Sequence, residues 1–134
     1  MRAIYEHYNR KFDLIVACDN SIPHLLTDAE ILRAFEQFYA CTNDGGGCIV
    51  SVRDYEREEK TGIQVKPYGV RDEKEIRYLI FQIWEFQGSI YDLDMYFVED
   101  RGGSDCTTHV MRTKYYAVTI EKLIELMRKA GYEG

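Results

Sequence analysis

Two short polar clusters carry the side chains best suited to chemistry: Asp19-Asn20-Ser21-Ile22-Pro23-His24 and Arg53-Asp54-Tyr55. A guanidinium such as that of Arg53 grips a carboxylate through two parallel N–H bonds, and the Asn20 amide offers a donor and an acceptor together. His24 can bond a ligand or titrate. Each residue also has a plain structural use. Asn20 and Ser21 can shape a turn, His24 can bond backbone, and Arg53 can pair with Asp19 or Asp54. Three such groups at one crevice shift the balance toward a site. Tyr115 and Tyr116 could cover a pocket, but neighbours on a strand point to opposite faces, so at most one of them does so. Gly45-Gly46-Gly47 precedes a strand and not a helix, so no helix N-terminus awaits a phosphate there, and the triplet reads as a turn. His109 has no partner suggested by spacing and reads as structural.

The elements that must position these clusters follow from periodicity and capping. Phe12 to Cys18 is a short, nearly continuous apolar run, the pattern of a strand covered on both faces in a parallel sheet. Thr27 can cap a helix, Glu30 can return the bond, and Leu26 can pack on Ile31. Ile31, Leu32, Phe35, Phe38 and Tyr39 continue at helical spacing until Thr42-Asn43-Asp44 and the three glycines stop the helix. Cys48 to Val52 reads as a second buried strand. A strand, a helix and a strand make one right-handed crossover with parallel strands. Ligands bind beyond the carboxyl ends of such strands, and both polar clusters leave the sheet at that edge.

Past Arg53 the pattern changes. Asp54 to Lys60 is charged and irregular, and the following extended segments alternate, as antiparallel strands do. Ile76 to Phe86 and Tyr91 to Val98 read as strands joined by a tight turn at Gln87-Gly88-Ser89. Thr107 to Tyr116 reads as another, reached through Gly102-Gly103. Thr119 can cap a last helix whose Ile120, Leu123, Ile124, Met127 and Ala130 form one apolar stripe, ended by Gly131.

The 134 residues, 46% hydrophobic and 13% aromatic, suffice for one domain with a real core. A formal charge of −6 disfavours a polyphosphate partner, so nucleic acid is not expected. No apolar run approaches the roughly 20 residues of a membrane helix, and charges interrupt the N-terminus where a signal peptide would be apolar. A cytoplasmic protein is expected. Cys18, Cys41, Cys48 and Cys106 are expected as free thiols and as small buried hydrophobes. The closest pair, Cys41 and Cys48, has six residues between its members, too many for the usual zinc pair.

FDLIVACDNSIPHLLTDAEILRAF, GGGCIVSVRDY and TKYYAVTIEKLIELMRKAGYEG together resemble the later half of a class I S-adenosylmethionine-dependent methyltransferase, most closely the glycine and sarcosine N-methyltransferase type. The resemblance covers Phe12 to Tyr55 well and Ile76 to Tyr132 more loosely. It implies an α/β, truncated Rossmann-like methyltransferase fold, with a parallel strand-helix-strand unit, antiparallel strands and a C-terminal helix. It also implies cofactor contact at Cys18 and His24, and substrate contact at Asn20, at Arg53 through the substrate carboxylate, and at Tyr115 or Tyr116. Neither a nucleophile nor a metal is implied. Asp19 stands where some relatives carry glycine.

In such a family a glycine-rich loop and an acidic ribose-binding residue precede the segment matched by Phe12, and two more strands follow the one matched by Gly134. The expectation is a single partial domain over 1–134 that lacks the cofactor-binding half, with Met1 reading as an internal methionine. Weak or absent S-adenosylmethionine binding and a catalytically silent chain follow. An unpaired edge at the first strand then points to a homodimer or swapped assembly. The chain is expected to be either a piece of an N-methyltransferase for a small amine or amino acid, or a non-catalytic interaction module derived from that fold.

Overall fold

The computed structural model describes residues 10–133, so the expectation for Met1 lies outside the described residues. The chain divides into two compact units, one formed by the residues up to Glu59 together with those from Tyr116 onward, the other by Lys60–Tyr115.

In the first unit the order is β1 (Phe12–Ala17), a single 3-10 turn (Ile22–His24), α1 (Asp28–Ala40), β2 (Thr42–Val50) and α2 (Ile120–Lys129). β1 and β2 pair in parallel, with Val16 opposite Ile49 and Ala17 opposite Val50. The expected start of α1 is present: Thr27 Oγ1 accepts the Glu30 N–H at 3.2 Å, and Glu30 Oε2 accepts the Leu26 N–H at 3.1 Å. Such a cap stabilises a helix by about 1 kcal/mol. α1 buries Ile31, Ala34, Phe35 and Phe38, and these meet Ile22, Leu123 and Leu126 in one core. Burying each of the larger side chains stabilises by about 1.5–3 kcal/mol.

α2 is capped by Thr119, whose Oγ1 accepts the Lys122 N–H. It ends where Gly131 takes φ 113, a conformation that suits glycine. A Cβ at Gly131 would also stand 2.9 Å from the Tyr39 ring, so this turn requires glycine twice over.

Four expectations for this unit are corrected. β1 is not covered on both faces: Ile15 and Ala17 face the core, but Phe12, Leu14 and Val16 are 42%, 51% and 55% exposed. The described residues supply a helical layer to one side only. The α2 stripe is narrower than its sequence, because Leu123, Leu126 and Ala130 are buried while Ile120 and Ile124 stand 42% exposed. Of the cysteines, all free, only Cys41 is buried. Cys18 and Cys106 are exposed, the one just past the end of β1 and the other at the start of an edge strand. The glycine triplet lies inside β2, where the register slips between Phe12–Thr42 and Leu14–Gly47.

The second unit is a four-stranded sheet in the order β3 (Ile63–Glu73), β4 (Ile76–Gln87), β5 (Ile90–Asp100) and β6 (Cys106–Tyr116). β4 and β5 join through Gly88 (φ 70) and Ser89, as the sequence suggests. β3 is a further strand, pairing antiparallel with β4 along its length and slipping at Tyr68 between Pro67 and Gly69. Its turn to β4 uses Lys74 and Glu75, both left-handed at φ 49 and 68, where asparagine and glycine are the usual choices. One face of the sheet gathers Trp84, Phe86, Tyr91 and Tyr115. Their rings lie 5.0 Å apart for Trp84–Tyr91, 4.8 Å for Phe86–Tyr91 and 5.5 Å for Tyr91–Tyr115. The chain is thus α/β, with a parallel pair, an antiparallel sheet and a C-terminal helix. Among the described residues no helix is long and apolar enough to cross a membrane.

Candidate functional site

Because β1 and β2 run parallel, the segments that follow Ala17 and Val50 leave the sheet at the same edge. Backbone bonds lace them first. Ser51 N donates to Ala17 O at 3.0 Å, and Asn20 N donates to Ser51 O at 3.2 Å. The Ser51 hydroxyl accepts the Asp19 N–H at 3.0 Å. The chain then reverses through two successive left-handed residues, Asp19 (φ 58) and Asn20 (φ 57), with Ser21 N bonded back to Cys18 O. Side chains rarely occupy that region, and the strain is held by these bonds to Ser51. The left-handed φ at Asp19 also explains why glycine suits this position.

The Asn20 side chain completes the clasp. Its Oδ1 accepts the Arg53 N–H at 3.1 Å, and its Nδ2 donates to the Tyr55 hydroxyl at 2.7 Å. Tyr55 is 1% exposed, so this bond anchors the second loop from within. The structure therefore brings Asn20 and Arg53 together, and assigns Asn20 a lacing function in addition to any contact with a ligand. The Arg53 guanidinium pairs through Nη1 with Glu58 Oε1 at 3.2 Å. Asp54, in the same loop, pairs with Arg57 at 3.0 Å. Cys18 and His24 are both exposed on the first loop, His24 closing the short 3-10 turn.

The tyrosine pair separates. Tyr115 belongs to the second unit, where its ring stacks on Tyr91 at an interplanar angle of 19°. Tyr116 belongs to the first, where its hydroxyl donates to Asp28 Oδ1 at 2.7 Å, in the first turn of α1. Burial, with the Asp28 carboxylate beside it, pushes the Tyr116 phenol up to about 12. It stays protonated and acts as a hydrogen-bond donor throughout the ordinary pH range.

Sequence reasoning did not single out Ser51, Glu58 or Asp28, nor the lacing use of Asn20 and Tyr55. The sequence places Ser51 inside the strand read from Cys48 to Val52, whereas β2 ends at Val50 and Ser51 opens the loop. A groove of about 710 Å³ in the first unit lies away from these loops, along Gly45 to Cys48, Tyr39 and the end of α2. Burial raises the Cys48 thiol there, which keeps it protonated and unreactive.

The glycine triplet offers no helix N-terminus to a ligand. It sits within β2, and a Cβ at Gly46 would lie 2.8 Å from the Asp13 carbonyl oxygen, so Gly46 answers to backbone packing and not to a ligand. Among the described residues there is no glycine-rich strand-to-helix turn.

No family model and no curated protein matches the chain in sequence. Solved structures do match in fold. DesVI from Streptomyces venezuelae superposes with a TM-score of 0.78 at 16% identity, over 93% of this chain and 52% of that one. CalS10, an S-adenosylmethionine-bound amino pentose methyltransferase from Micromonospora echinaspora involved in calicheamicin biosynthesis, gives 0.77 at 15%, over 92% and 51%. The sugar N-methyltransferase KedS8 from Streptoalloteichus gives 0.75 at 14%, over 92% and 49%. The chain spans about half the length of the solved structures it matches. At these identities what is shared is architecture: the chain has the Rossmann-like α/β fold of these methyltransferases, over about half of their extent.

Proposed function

We propose that this chain is the acceptor-side portion of an S-adenosylmethionine-dependent N-methyltransferase acting on a small amine, and that it is silent in isolation. The observation that carries the reading is the Asn20 clasp. It ties the loops after β1 and β2 into one rim at the carboxyl edge of a parallel sheet, the edge where such sheets bind ligands. The fold likeness to proteins described as sugar N- and amino pentose methyltransferases supports the same class.

S-adenosylmethionine, when bound, supplies a sulfonium methyl open to in-line attack by an amine lone pair. The chain's own residues would act by placement, without a nucleophile. Cys18 and His24 would border the cofactor from the first loop. Asn20 would hold the second loop in register and offer its remaining amide capacity to the acceptor. Arg53 would take an acceptor carboxylate in exchange for Glu58, which suits a glycine-like acid. An amino sugar lacks that carboxylate and would leave the Arg53–Glu58 pair intact. Tyr115 or Tyr116 remains the proposed acceptor-side aromatic, one of the two and not both. The chain's share of its neighbours' length motivates the expectation of weak cofactor binding, since the remaining cofactor contacts would have to come from elsewhere.

The test is a nitrogen-15 NMR titration of the chain with S-adenosylmethionine, then with glycine and with an amino sugar. Shifts confined to Cys18–His24 and Arg53–Tyr55 that are unsaturated at millimolar ligand are expected. Saturation at micromolar cofactor would contradict the silent-fragment reading. An unperturbed rim would favour the second reading, a non-catalytic interaction module, for which the bare face of β1 speaks.

A further inference from the structure

We propose that Glu58 is a specificity-determining residue: a carboxylate built into the chain that occupies the Arg53 guanidinium and so disfavours acidic acceptors against amines that carry no carboxylate. The inference rests on the proposed placement of Arg53 beside the acceptor. Its grounds are the path and the charge of the segment that follows β2.

Asn20 fixes the Arg53 backbone, and Tyr55, buried two residues on, anchors the chain. The segment then folds back on Asp54. The Glu56 N–H donates to Asp54 Oδ1 at 3.2 Å, the Arg57 N–H donates to the Asp54 carbonyl at 3.3 Å, and the Arg57 guanidinium pairs with the Asp54 carboxylate at 3.0 Å. This turn returns Glu58 to Arg53, five residues away, with Oε1 3.2 Å from Nη1. A carboxylate tethered over so short a loop stands at a high effective concentration, which a dissolved acid must match to displace it.

Exposure points the same way. The Glu58 side chain is 17% exposed and that of Arg53 46%. The carboxylate has given up most of its water and depends on the guanidinium, whereas the guanidinium keeps an outer side open to solvent. An incoming acid can therefore reach Arg53, but its binding strands Glu58, half-buried, without that partner. Charge adds to the cost. Arg53 to Lys60 holds four carboxylates and three cations, so the segment repels a further anion. An amine without a carboxylate meets neither cost, and the same charges attract its cation. The irregular charged run after β2 thus discriminates by penalising one class of ligand.

Ligand-observed fluorine NMR on the full chain, with fluoroacetate as the probe at fixed ionic strength, tests this. Glu58→Gln is expected to tighten binding about fivefold, the upper end of what a partly exposed ion pair sustains. Asp54→Asn removes the same unit charge beside Arg53 while keeping a side-chain oxygen for the Glu56 N–H, and is expected to change affinity by less than about twofold. Arg53→Gln added to Glu58→Gln is expected to abolish the gain. Circular dichroism establishes that the variants fold, and Glu58→Ala replaces Glu58→Gln if the amide does not. A Glu58 variant that binds fluoroacetate no better than wild type, binding by neither included, would overturn the proposal. So would equal tightening by Asp54→Asn, or a gain that survives loss of the Arg53 guanidinium. Failure of the methyltransferase reading would show elsewhere, as absent shifts at Cys18–His24 when the wild-type chain is titrated with S-adenosylmethionine.

Discussion

The parallel pair β1–β2 and the antiparallel sheet β3–β6 each leave a row of apolar side chains bare, yet they offer different things to another chain. β1 presents Phe12, Leu14 and Val16, and among the described residues it has a partner strand on one side only. β3 presents Ile63, Val65 and Val70 behind an edge interrupted by Pro67 and a register slip. The first is open to a further strand, the second to a covering layer. The units also differ in what holds them. β1, α1, β2 and α2 meet through a core joining residues about a hundred positions apart, whereas β3–β4 and β4–β5 are joined by two-residue turns. Polar loops able to do chemistry sit on the unit built from distant parts of the chain, so the rim depends on long-range packing that the sheet does not need.

That contrast can be broken first at Gly131. Gly131→Ala would place a methyl against the Tyr39 ring and force alanine into φ 113, and is expected to cost about 2 kcal/mol in urea unfolding. An unchanged midpoint would show that the α2 junction does not support the first unit. The sheet responds in the opposite direction. Lys74→Asn with Glu75→Gly would relieve two left-handed residues in a two-residue hairpin, and is expected to stabilise by about 1 kcal/mol. A loss of stability there would mean that the turn is not what limits the sheet.

Much of this was legible before the structure. Thr27, Glu30 and Leu26 announce α1, the two apolar runs announce a parallel pair, and alternation announces the later strands. The second, uncovered face of β1 was not legible, because a continuous apolar run looks the same whether or not a helix lies on it. β3 escaped delimitation because Lys66, Pro67, Gly69 and the charged Arg71-Asp72-Glu73 interrupt its alternation. Asn20 and Arg53 were readable as neighbours, since parallel strands must place their following loops together. The clasp itself was not, because an asparagine in a turn carries no sign of which distant hydroxyl it will meet. Glu58 as the partner of Arg53 depends on the path of the loop after β2, which its charge pattern leaves open.

The central claim is that one amide binds two loops into a single rim, and a double-mutant cycle between Asn20 and Tyr55 tests it most directly. Asn20→Gly keeps the left-handed backbone at φ 57 while removing the amide, and Tyr55→Phe removes only the hydroxyl. The account predicts a coupling of about 1 kcal/mol in unfolding free energy. Strictly additive effects would contradict it, by showing that the two loops are held together by something other than this bond.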